Sequence, residues 1–201
     1  RDASVSVVDP SVSVGGITST LTRIDIKQPP MDWVTPRDNK RVFVSMPTAG
    51  EVAVIDSEQF KLIDSVAAGS NPVRVALQPD ERLLWVGNNA PSAEQSGVTV
   101  IDTATLKTLK HLATGSGHHE IAFSKDNRFA FVTNRDDGTL SIIDVATLTI
   151  AKQLKTGSHP LSVAYSPLSD AAYVADGKDG TVTVVDAASQ SVRRVIKVKQ
   201  G

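Results

Sequence analysis

Short runs of apolar and β-branched residues recur along this chain, each closed by Gly, Pro, Asn or Asp. Three patterns repeat in phase. The first is Val-x-Val-[Ile/Val]-Asp at residues 52–56, 98–102 and 182–186, with Leu and Ile variants at 140–144; its final Asp56, Asp102, Asp144 and Asp186 are 46, 42 and 42 residues apart. The second is an apolar-aromatic-Val triplet centred on Phe43, Trp85, Phe131 and Tyr173, stepping by 42, 46 and 42. The third is a Gly-Ser-x-[Pro/His] turn ending at Pro72, His118 and Pro160. The four extra residues fall in one connection, residues 88–97.

Each unit predicts four short strands, illustrated by 73–77, 83–86, 98–101 and 108–113. Consecutive apolar residues such as Val100-Ile101 fit strands covered on both faces, and no segment carries a 3.6-residue apolar stripe. A unit of about 42 residues with four strands is a β-propeller blade. The fold class is therefore all-β. The expected division is residues 1–27 as the last two strands of a preceding blade, then blades at 28–68, 69–114, 115–156 and 157–201, all in one propeller domain. In the first segment, strands at 5–9 and 20–26 flank a longer turn over 10–19. The count is about four and a half blades, an incomplete ring. That reading makes the chain a piece of a longer propeller, with a closed four-blade ring and self-association as the other options. The aromatic series is expected to pack between blades.

Trp85-Val86-Gly87-Asn88, Phe131-Val132-Thr133-Asn134 and Tyr173-Val174-Ala175-Asp176 resemble the repeat that names the YVTN propellers. Gly157 to Pro167 also fits the Gly-x-x-Pro-x-x-Val-Ala-x-Ser-Pro-Asp consensus of that family. Residues 69–80 carry Gln78 in place of Ser, and residues 115–126 depart most, with His118 and Lys125 in place of Pro. The resemblance implies a ring of seven or eight blades whose ligands sit on the channel rim. Cytochrome d1-like propellers, relatives of this class, use rim histidines around a non-covalent haem.

Charge and composition narrow the function. The 201 residues carry 21 basic and 22 acidic side chains, so no cationic footprint for nucleic acid exists. The absence of Cys excludes disulfides, thiolate catalysis, Cys-ligated zinc and covalent c-type haem, and fits an exported protein in the periplasm or outside the cell. No apolar run reaches the roughly 18 residues needed for a membrane span. The opening Arg1-Asp2-Ala3 is not a signal segment, so the chain reads as mature, cytosolic or an excerpt.

Candidate chemistry lies where the repeat is broken. His118 stands where the other units have Pro30, Pro72 and Pro160, and His119 and Glu120 follow it. The turn joins an outermost strand to the next innermost strand and so lies on the rim, as does His159. His118, His119, Glu120 and His159 are candidate rim ligand contacts, and His118 and His159 the candidate metal or haem ligands, with an acid/base role or a solvated rim as the alternatives. Adjacent His118 and His119 in a strand would point to opposite sides and could not share a metal. Arg135, Asp137 and Lys178, on neighbouring loops, are candidate ligand contacts, and the 88–97 insertion is a candidate recognition loop. Asp56, Asp102, Asp144 and Asp186 read as turn caps, and His111 as structural. Neither a nucleophile elbow nor a phosphate-cradling loop occurs, so the sequence leans away from an enzyme. The favoured function is a binding or scaffold propeller that recognises a protein or small ligand on its rim. A protein partner or the remaining blades would cover its open edge. The alternatives are a haem- or transition-metal-dependent redox propeller and, more weakly, a lactonase or hydrolase.

Overall fold

A computed structural model describes residues 2–14 and 17–198. Its first element is an antiparallel hairpin, β1 (Ser4–Val14) and β2 (Ile17–Asp25). Four antiparallel four-stranded meanders follow. They are β3 (Trp33–Val34), β4 (Arg41–Met46), β5 (Glu51–Asp56) and β6 (Lys61–Ala67); then β7 (Pro72–Leu77), β8 (Leu83–Asn88), β9 (Gly97–Asp102) and β10 (Thr108–Leu112). The third is β11 (Ile121–Phe123), β12 (Phe129–Asn134), β13 (Thr139–Asp144) and β14 (Thr149–Lys155). The fourth is β15 (Pro160–Ser166), β16 (Ala171–Asp176), β17 (Thr181–Asp186) and β18 (Ser191–Lys197). The chain is all-β with an unclosed ring of blades. A single 3-10 turn at Pro47–Ala49 is the one helical element among the described residues.

The hairpin departs from expectation. Its strands run on to Val14 and start again at Ile17, with a register shift between Asp9 and Ser13, so most of the expected 10–19 turn is paired strand. Pro10, which cannot donate to the ladder, lies within that shift.

Burial follows position in the blade. Second and third strands are buried almost throughout, whereas the outer β6, β10 and β14 are mostly exposed. Apolar layers between successive sheets hold the blades together. Phe43, Val52 and Val54 meet Val75, Leu84, Val86 and Ile101. Trp85, Val98 and Val100 meet Ile121, Ala130, Val132 and Ile143. Phe131, Leu140 and Ile142 meet Val163, Ala172, Val174 and Val185. The hairpin joins through Ile24 and Ile26 against Val44, Met46 and Ala53. Phe43, Trp85 and Phe131 are thus inter-blade anchors, all fully buried. Tyr173 at the same repeat position is half-buried because no further sheet among the described residues covers it, and its hydroxyl lies 3.1 Å from Ser169 Oγ.

The repeated aspartates are turn caps. Asp56 Oδ1 accepts from the Glu58 and Gln59 backbone N–H groups, and Asp102 Oδ1 from those of Ala104 and Thr105. Asp144 Oδ1 accepts from Thr147 N–H and Asp186 Oδ1 from Ser189 N–H. These bonds favour the ionised form and hold the Asp102, Asp144 and Asp186 carboxyls below their ordinary value, Asp186 down to about 2.

Candidate functional site

The connections after each second strand and those between blades meet on one face, where short hydrogen bonds lock them together. Ser116 N–H donates to Asp137 Oδ2 at 2.8 Å, and one blade on Ser158 N–H donates to Asp179 Oδ2 at 2.6 Å. The backbone repeats the lock: Asp136 N–H donates to Ser116 O, and Lys178 N–H to Ser158 O. In the last three inter-blade turns a left-handed residue precedes the closing Pro or His: Asn71, Gly117 and His159, with φ of 48°, 98° and 55°. His159 therefore occupies a turn position that the other units fill with Pro29, Asn71 and Gly117.

The three rim histidine candidates separate. His119 is 0% exposed and does not reach the rim. Its Nδ1–H donates to the Thr133 carbonyl at 2.9 Å, and its Nε2 lies 3.1 Å from Ser96 Oγ in the 88–97 loop. Burial holds its pKa below the ordinary imidazole value, so the ring is neutral, with Nε2 accepting from the Ser96 hydroxyl. Both ring nitrogens thus have hydrogen-bond partners inside the protein. Sequence placed His118 and His119 within a strand; both lie just before β11, with their rings turned to different neighbours. His118 is half-buried and approaches Glu120 Oε1 at 3.2 Å through Nε2. His159 is exposed on the rim and lines a cleft away from His118.

Glu120 belongs to a charged ladder along the innermost strands. Arg74 Nε lies 3.1 Å from Glu120 Oε2, and Arg74 NH1 lies 3.2 Å from Asp32 Oδ2, which also accepts from Val75 N–H at 2.9 Å. With His118 the order is Asp32, Arg74, Glu120, His118, spanning three blades. Asp32, Arg74, Glu120 and Ser162 all lie two residues after the Pro or His that closes the inter-blade turn. Sequence reasoning missed Asp32 and Arg74, although that register marks them as alternating charges.

Of the remaining candidates, Asp137 and Lys178 join His159 in one polar cleft of about 340 Å³ between the third and fourth blades, lined also by Asp179, and Arg135 lies outside it. Asp137 and Asp179 each commit one carboxylate oxygen to a turn, and Lys178 is exposed. Arg135 folds onto Asp136, with Nε to Oδ1 at 2.8 Å, which raises its pKa further. The rim carboxylates are therefore bound to backbone and cation partners rather than converging on one point. A cleft of about 490 Å³ lies elsewhere, between β1 and the first full blade, with an apolar lining that includes Val5, Val7, Met31, Trp33 and Val44.

Residues 115–200, the third and fourth blades, match the family model described as the cytochrome D1 heme domain. The cytochrome d1-like resemblance is thus shown over those two blades. Among solved structures, the chain is similar to Kuenenia stuttgartiensis hydrazine synthase at 17% identity and a TM-score of 0.76, over 94% of this chain and 59% of that one. The chain therefore spans somewhat more than half of that protein's length. At this identity the likeness establishes the propeller fold. No curated protein shows a significant match.

The matched family implies a haem, and the residues present do not fit one. A haem needs an apolar slot and an axial ligand free to reach its iron, here sought among the rim imidazoles. His119 has no free nitrogen, His118 turns its Nε2 to Glu120 Oε1 in the charged ladder, and the polar rim cleft holds His159 between charged side chains. The apolar cleft by β1 has no histidine in its lining. Among the described residues no group of three or more His, Cys, Asp or Glu is placed to hold a metal ion.

Proposed function

We propose that the chain is part of an exported binding propeller that recognises a protein or small ligand on the rim formed by its inter-blade turns and second-to-third-strand loops. The observation that carries this reading is the locking of that face: Ser116 to Asp137, Ser158 to Asp179, and Ser96 to His119 preorganise loops that elsewhere in proteins are mobile. A rigid polar rim binds with little ordering cost. Export, to the periplasm or the cell exterior, agrees with the lack of cysteine. Among the described residues no helix is long and apolar enough to cross a membrane. The apolar cleft beside β1, with Trp33 65% exposed at its edge, is the place for remaining blades or a protein partner.

Photo-crosslinking tests the rim. A crosslinker at Lys178, on the rim, should capture the ligand or partner, whereas one at Lys125, in the turn between β11 and β12 on the opposite face, should not. Equal capture from both positions would refute the assignment.

A haem-handling reading rests on the family match of residues 115–200 alone. Haem titration followed by absorption spectroscopy separates the two. A saturable Soret shift lost in His118→Ala or His159→Ala would favour the haem reading over rim recognition.

A further inference from the structure

The 88–97 insertion does more than lengthen one loop. Its tip, residues 91–95, is exposed, while both flanks are pinned. Ser96 Oγ sits between His119 Nε2 and the Asn88 carbonyl, at 3.1 and 3.2 Å. At the tip, His111 Nε2–H donates to the Glu94 carbonyl at 3.2 Å, and Ser96 N–H donates to Ser92 O at 2.9 Å. The pinned tip faces the third blade across a cleft of about 370 Å³, lined by Ala93, Glu94, Thr114, Gly115, Asp137 and Gln153 along with Ala113.

The next junction serves as an internal control. Ala113, Thr114, Gly115 and Asp137 correspond in the repeat to Lys155, Thr156, Gly157 and Asp179. The later groove contains Lys155 and Lys178, whose positive charges offset its aspartates. The earlier groove has Ala113 in place of lysine, so Glu94 and Asp137 are its only charged lining residues. The Asp137 carboxylate is held in place by Ser116 N–H and by the bare Cα of Gly115, where a Cβ would stand 2.7 Å from Asp137 Oδ2. A second observation points to a ligand. Thr114 lines this cleft and is 1% exposed, yet its hydroxyl has no partner among the described residues, while its carbonyl accepts from Gln153 Nε2 and Ser141 Oγ. On the far side of Asp137, Lys155 Nζ donates to the Asp137 carbonyl at 3.0 Å rather than lining this groove. An unmet buried hydroxyl beside two carboxylates suits a group that only donates hydrogen bonds and carries positive charge.

We infer that the groove between the insertion loop and the third blade is a binding site for an organic cation of side-chain size, the guanidinium or ammonium group of a basic peptide segment. Glu94 and Asp137 take its charge and Thr114 Oγ takes one of its N–H donors. This rests on the rim being the recognition face and specifies one subsite of it.

NMR titration of the 201-residue chain with acetyl-Gly-Arg-Gly-amide tests the assignment, with the citrulline peptide and agmatine in parallel. The Arg peptide should shift the amides of Glu94, Thr114, Gly115 and Asp137 saturably, and the isosteric, uncharged citrulline peptide should not. Glu94→Gln and Asp137→Asn should each weaken binding about tenfold; the Asn oxygen keeps the Ser116 bond, so the turn survives. Agmatine binding as tightly as the peptide would overturn the peptide source. Absence of saturable shifts, or shifts unchanged in both variants, would overturn the site. Shifts confined to His159, Lys178 and Asp179 would overturn this subsite while leaving the rim as the binding face.

Discussion

Trp85 carries the largest fully buried side chain, and its indole Nε1–H is buried with no hydrogen-bond partner among the described residues. The repeat puts Phe at the equivalent positions 43 and 131. Trp85→Phe therefore sets two opposed effects against each other. Losing about 40 Å³ at about 24 cal/mol per Å³ of residual cavity costs about 1 kcal/mol, and the lost transfer energy adds about 1 kcal/mol. Removing an orphaned buried donor returns about 1–3 kcal/mol. The edge-on contact with Phe123, at 5.7 Å between ring centroids and 70°, is available to a phenyl ring as well. The net change should lie within about 1 kcal/mol of zero. Trp85→Ala, which sacrifices the packing entirely, should cost about 3–5 kcal/mol. Urea unfolding followed by far-UV circular dichroism is the suitable assay, because the only other tryptophan, Trp33, is 65% exposed and a poor reporter. A loss of about 3 kcal/mol or more in Trp85→Phe would show that the indole N–H is satisfied and refute the reasoning.

Four further perturbations follow from the structure. Gly97→Ala would set a Cβ 2.1 Å from the Leu112 carbonyl oxygen at a φ of 139°, so it should cost more than about 2 kcal/mol. Gly50→Ala, at a φ of 67° with its nearest contact at 3.0 Å, should cost about 1 kcal/mol, both variants being read by urea unfolding. His119 has a folded pKa below its unfolded value of 6.5, so the unfolded chain binds the extra proton. Its contribution is complete above the unfolded pKa and falls as pH drops below it, and His119→Gln should flatten the melting temperature between about pH 7 and 5. Glu120→Ala leaves Arg74 with Asp32 alone and should cost about 1–2 kcal/mol, discounted for partial exposure, in urea unfolding. An unchanged midpoint would show that the ladder is held by its solvent rather than by its charges.

Period and phase made the blades readable before any coordinates, because one supersecondary unit written four times constrains its own alignment. Asp56, Asp102, Asp144 and Asp186 were readable for the same reason: a turn cap needs only neighbours two or three residues away, all within the repeat. The difference between His118 and His119 was not readable. It depends on Ser96, 23 residues away in the preceding blade, and on how a four-residue insertion folds back over the junction. The ladder was hidden differently. Arg74 meets Asp32 and Glu120 at separations of 42 and 46 residues, distances at which each unit looks self-sufficient. Only the same register in successive units, taken as neighbours around a ring, brings those charges together. The positions that repeat thus build the blades, and the positions that vary at one register, compared across blades, compose the channel wall and the rim. That makes the comparison of Ala113 with Lys155 as informative as any motif: the backbone of the two grooves is shared, and their difference in charge is what a ligand could distinguish.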